Sequence, residues 1–146
     1  MTGMGKVCIL MAVTIAVPAA SGQQTAGQAG TYQVTSPGDK ALSQSEAGAL
    51  AYMRTVVAAQ RAYKRKHGHY AESLQALVGS LSFTRRMTNP NRGDYKVGFQ
   101  GGREKYFLTL TPIQFDTSHR AFYVDETGRF RVEESKTATA KSAPLK

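Results

Sequence analysis

Between Ala49 and His67 the chain carries no proline or glycine, and Ala49, Tyr52, Met53, Val56, Ala59, Gln60 and Tyr63 recur at helical spacing on one face. Ser43-Gln44-Ser45-Glu46 fits a capping box. In that motif the Ser43 hydroxyl accepts a backbone N–H and the glutamate returns to the cap's own amide, with Ser45 as a competing cap. Gly68 ends the helix after Lys64, Arg65 and Lys66, whose charges suit its negative dipole end. Tyr70, Leu74 and Leu77, with Leu81 as a further candidate, then predict a short second helix, and Asn89-Pro90 and Arg92-Gly93-Asp94 break the chain. Beyond them the period falls to two. Tyr95, Val97 and Phe99 form one alternating run, Gly101-Gly102 turns, and Tyr106, Leu108 and Leu110 form the next. Phe122 and Val124, a turn at Asp125 to Gly128, and Phe130 with Val132 read as a closing hairpin. A lone meander cannot bury its apolar face, and the long helix offers the matching one. The pattern therefore predicts an α+β domain over 43–134: a long N-terminal helix and a short second helix packed on a four-stranded antiparallel β-meander. Its expected core is Tyr52, Met53, Val56, Tyr63, Leu74, Leu77, Val97, Phe99, Leu108, Leu110, Phe122 and Phe130.

The flanks follow other patterns. Lys6, an apolar run from Val7 to Val17 and the small residues Ala20-Ser21-Gly22 make residues 1–22 resemble a secretory signal peptide. The run is shorter than the ~20 residues of a membrane span, so no stable anchor is expected once it is cleaved. Residues 23–42, rich in Gln, Gly, Thr, Ala and Ser, read as a flexible polar leader, and 135–146 as a disordered basic tail. Cleavage after Gly22 removes Lys6 and the sole cysteine, Cys8. It leaves 18 basic against 10 acidic side chains, a net charge near +8. The mature protein is expected to be periplasmic or secreted, without disulfide or thiol chemistry, and electrostatically suited to nucleic acid, acidic polysaccharide or phospholipid headgroups.

Candidate chemistry is sparse. His67-Gly68-His69 offers two metal-ligand types without a third nearby, and no nucleophile elbow or phosphate-cradling glycine loop is present. Asp116 and Asp125 are weak calcium candidates if their loops meet; otherwise Asp125 caps its own turn. Glu133 and Glu134, adjacent on a strand, point to opposite faces and cannot share a proton. No catalytic residue and no cofactor is expected. The outer face of the long helix carries Arg54, Arg61 and Arg65 among Ala47, Ala51, Ala58 and Ala62. Such a stripe is either solvated or, because its side chains are small, an interaction face built on Arg54, Ala58, Arg61 and Arg65. Lys64, Arg85, Arg86 and Arg92 extend the positive charge into a candidate polyanion patch.

The order of these residues resembles a known family. Glu46, Ala47, Ala49, Arg54, Thr55, Ala59, Gln60, Tyr63, Gly68, Tyr70, Leu74, Leu77 and Gly79 occupy the places of a pattern that opens the globular head of type IV pilin-like and type II secretion pseudopilin-like proteins. Phe122-Tyr123-Val124, the Asp125–Gly128 turn and Phe130-Arg131 are similar to the hairpin that closes many such heads. The resemblance spans about 45–134 and implies a spine helix on an antiparallel sheet. Filament-building members begin with a prepilin leader, a glycine followed by F-T-L-x-E, and an apolar helical half. Here the apolar run is shorter, lacks an acidic fifth residue, meets Pro18 and is separated from the long helix by a polar leader. The resemblance thus implies the fold and a non-enzymatic, surface-acting role, accessory to a pilus or secretion assembly whose proteins would be its partners, but not an ordinary filament subunit. The alternative is a soluble polyanion binder, with DNA bound weakly and non-specifically through the basic helix face. A small secreted hydrolase or metal protein ranks third.

Overall fold

The computed structural model describes residues 41–146, so the expected signal segment and most of the expected leader lie outside the described residues. The helix α1 runs Gln44–His67. Ser43 caps it in extended conformation, its hydroxyl accepting the Glu46 N–H at 3.1 Å. Gly68 stops it at φ +79°, a left-handed conformation that an L side chain would disfavour, and donates its N–H to the Lys64 carbonyl at 2.8 Å. Among the described residues no helix is long and apolar enough to cross a membrane.

The second helix does not form. Only a 3₁₀ turn, Gln75–Leu77, appears, and another follows at Arg85–Thr88. The reason is competition for the backbone. The Gln60 side chain takes both polar groups of Ala71, Nε2 donating to its carbonyl at 3.0 Å and Oε1 accepting its N–H at 2.9 Å. The Tyr70 N–H goes to the Arg103 carbonyl at 2.9 Å. These bonds tie the segment to α1 and the sheet before a helical turn can propagate.

The sheet has six strands, not four: β1 Asn91–Arg92, β2 Tyr95–Gly101, β3 Tyr106–Pro112, β4 Ala121–Asp125, β5 Arg131–Glu133 and β6 Ala143–Pro144. Each pairs antiparallel with the next in chain order, so the sheet is a simple meander. The extra strands lie at its two edges. Gly93-Asp94, expected to break the chain, instead forms the turn that folds β1 onto β2, with Arg92 opposite Tyr95. The tail, expected to be disordered, is ordered: Val132 pairs with Ala143 and Arg131 with Pro144. Ala138 is buried against Ala121 and Tyr123 on the sheet face away from α1, and the Ser142 hydroxyl donates to Glu133 Oε2 at 2.9 Å. A Lys/Ala/Ser/Thr composition has no local periodicity, and these contacts come from a surface distant in sequence.

The core lies between α1 and the sheet. Leu50, Met53 and Val56 meet Leu77, Phe83, Tyr95, Leu108, Leu110, Phe122 and Val124, all essentially inaccessible to water. Pairing of Leu108 with Val124 and Leu110 with Phe122 puts the apolar alternation of β3 and β4 in phase. Of the expected core, Tyr63, Val97, Phe99 and Phe130 are only half-buried at its margin, whereas Leu50 and Val57 widen the buried face of α1.

Candidate functional site

Along α1, Gly48, Ala51, Arg54, Ala58, Arg61 and Arg65 are exposed, and Ala47, Thr55 and Ala62 half-exposed. A β-carbon built on Gly48 would meet no heavy atom within 4 Å, so the helix backbone there is open to approach. The strip borders a groove of about 460 Å³, lined by Gly48, Ala51, Tyr52, Thr55, Met87 and Arg92 among others. Its far wall is tied to the helix through Tyr52. The Tyr52 hydroxyl donates to the Met87 carbonyl at 2.9 Å, and the Arg92 guanidinium lies 4.5 Å from the Tyr52 ring centre. Burial pushes the Tyr52 phenol up to about 12, against the opposing charge of Arg92.

Arg61 departs from the stripe. Its guanidinium leans over the turn of the closing hairpin, so that a β-carbon at Gly128 would lie 2.6 Å from Arg61 Nη2. Within that turn the Asp125 carboxylate accepts the N–H of Thr127 at 3.0 Å, and the Gly128 N–H returns to the Asp125 carbonyl at 2.9 Å. The charged turn thus bonds to itself and receives a cation from the helix.

The basic patch divides. Arg85, Arg86 and Arg92 line one open depression with Thr88, Asn89 and Pro90. Lys64 lies elsewhere, its ammonium 4.2 Å from the Tyr70 ring centre. Twelve residues of helix separate it from Tyr52, on which Arg92 stacks, and at 1.5 Å per residue that is about 18 Å along the axis.

Asp116 and Asp125 do not meet, since Asp116 precedes β4 and Asp125 is its last residue, at the opposite end. Asp116 instead accepts the Ser118 N–H at 2.7 Å and His119 Nδ1 at 2.9 Å. Its carboxyl is held below the usual range, chiefly by the Ser118 amide and then by His119. His67 and His69 have ring centres 6.3 Å apart, packed around Tyr63. Among the described residues no three His, Cys, Asp or Glu side chains cluster closely enough to hold a metal ion.

The strongest polar constellation escaped the sequence. Glu46 is completely buried, and its carboxylate does not return to the Ser43 amide as a capping box requires. Oε2 accepts the Leu42 N–H at 2.8 Å and Arg120 Nη2 at 2.9 Å; Oε1 accepts the Arg120 N–H at 2.9 Å and Nε at 3.0 Å. These bonds hold the Arg120 guanidinium in its charged form against the cost of burial. Beside them His119 bridges two carboxylates, with Nε2 3.4 Å from Asp94 Oδ2, which also accepts the Ser45 hydroxyl at 2.7 Å. Burial works against a charge on His119, but Asp116 and Asp94 outweigh it and raise its pKa. No family model, curated protein or solved structure matches the chain. The only sequence signal for the constellation was Glu46 at the capping-box position, and it carried no pointer to Arg120, 74 residues away.

Proposed function

We propose that the chain is an exported, non-enzymatic domain with a pilin-like head, acting through protein contacts on the outer face of α1 in an accessory role to a type IV pilus or type II secretion assembly. The observation that carries this reading is the exposed strip of Gly48, Ala51 and Ala58, on a helix whose opposite face is committed to the core. Side chains this small let a partner backbone come within ordinary helix-packing distance, about 8–10 Å between axes. Arg54 and Arg65, exposed beside the strip, supply charge that sets orientation more than affinity. A photo-crosslinking residue at Ala51 in the native host should form an adduct with a component of such an assembly. Ala58→Glu should abolish the adduct without lowering the melting temperature. No adduct, or one indifferent to Ala58→Glu, rejects the reading. Mass spectrometry of exported material should find a mature terminus near Gln23.

Nucleic-acid binding is a second reading, favoured by the convergence of Arg85, Arg86 and Arg92 on one depression. It calls for DNA affinity that falls steeply with salt, and whose salt slope flattens when these arginines are replaced.

A further inference from the structure

After the first 3₁₀ turn the chain puts two aliphatic side chains into solvent, Val78 at 43% and Leu81 at 64% exposure. Leu81 has φ +53°, and among the described residues no other non-glycine residue has a positive φ. That conformation crowds a β-carbon and is better suited to glycine or asparagine. The loop is held firmly on both sides. The Gly79 N–H donates to the Phe83 carbonyl at 3.0 Å, the Ser80 N–H to the Leu77 carbonyl at 2.8 Å, and Leu77 and Phe83 are buried anchors. Neither turn geometry nor core burial therefore accounts for a leucine at 81.

Four and five residues further on, Arg85 and Arg86 are exposed and share their depression with Arg92. Four residues of chain reach at most about 14 Å, so the backbone of Arg85 lies within that distance of Leu81. Apolar side chains enter the boundary of a bilayer, and cations beside them meet its phosphates. Nucleic acid would engage the arginines too, but single strands are held by stacking on aromatic rings and bases by hydrogen bonds, and valine and leucine offer neither.

We propose that the Val78–Arg92 end of the domain docks on an anionic phospholipid surface, Val78 and Leu81 entering the interface and Arg85, Arg86 and Arg92 binding headgroup phosphates. The contact is peripheral and reversible, and it rests on neither function proposed above.

The chain contains no tryptophan, so Val78→Trp in the full chain places the sole indole on the loop itself, where residues 1–40 do not generate its signal. Val78 has ordinary backbone angles, φ −59° and ψ 126°, that accept the change. Vesicles of mixed phosphatidylcholine and phosphatidylglycerol should shift the emission to the blue and shield it from an aqueous quencher; phosphatidylcholine alone should not. Replacing Arg85 and Arg86 with alanine should raise the lipid concentration needed by about fivefold for each residue. Leu81→Asn suits the backbone and should melt no lower, yet weaken docking by about tenfold. Leu81→Gly repeats that test with no side chain. The proposal fails if the indole is unmoved by the mixed vesicles, or if both Leu81 variants titrate like the parent. It also fails if duplex DNA produces the same shift, which would assign the arginines to nucleic acid.

Discussion

Removing either partner of the Glu46–Arg120 pair should destabilise the domain, and by unequal amounts. Glu46 is fully buried, whereas the Arg120 side chain keeps 14% of its exposure. In Glu46→Ala the guanidinium can swing toward water. What remains is two part-buried N–H groups, of Leu42 and Arg120, each costing at most about 1–2 kcal/mol without an acceptor, so the total is at most about 3 kcal/mol. In Arg120→Met the carboxylate cannot move out. It retains two backbone donors but loses its counter-charge, the case in which a broken buried pair costs about 3–5 kcal/mol. Combining Glu46→Ala with Arg120→Met removes charge and counter-charge together and should cost at least about 2 kcal/mol less than the sum of the single changes. Urea unfolding followed by far-ultraviolet circular dichroism measures all four proteins. At an m-value of about 1.5 kcal/mol/M, a 3 kcal/mol loss moves the midpoint by roughly 2 M. An Arg120→Met cost below about 1 kcal/mol, or a double mutant additive within about 0.5 kcal/mol, would refute the claim that this pair fastens the start of α1 to β4.

Further outcomes follow from other contacts in the fold. Because the folded pKa of His119 is raised above 6.5, its stabilisation is fully present below pH 6.5 and is lost as pH rises through the folded value. Melting temperatures should therefore separate wild type from His119→Ala in acid and converge in alkali; a pH-independent gap would show that the Asp94–His119–Asp116 bridge is not electrostatic. Asp116, lowered from 3.8, has the opposite sense: it stabilises above pH 3.8, and that contribution disappears as pH falls through its folded value. Gln60→Leu should cost about 2–4 kcal/mol in urea unfolding despite its apolar gain, since the Ala71 N–H and carbonyl both lose their partner; a neutral result would mean that water replaces the amide. Truncation after Glu134 should cost about 2 kcal/mol and produce concentration-dependent association on gel filtration, because it uncovers Ala121 and Tyr123 and frees the β5 edge; a monomeric truncation of unchanged stability would show the tail to be dispensable.

The sequence by itself determined the elements whose signals are local. Ser43 and Gly68 bound α1 because a cap bonds within its own first or last turn, and β2, β3 and β4 show in their alternation because each strand has one face on the core. The outer face of α1 was legible for the same reason, as the complement of a 3.6-residue period. Only the tertiary structure decided what depends on partners far along the chain. Tyr70 to Leu77 has helical spacing, but Gln60 and Arg103 take its backbone bonds. Arg61 has the periodicity of an outward stripe, yet its long side chain reaches the Gly128 turn. The tail has the composition of a disordered segment and becomes β6 because β5 offers an unpaired edge and Ala121 a small depression for Ala138. Glu46 occupies the position of a capping residue, but a carboxylate with two oxygens takes the strongest donors within reach, and folding brings it the guanidinium of Arg120.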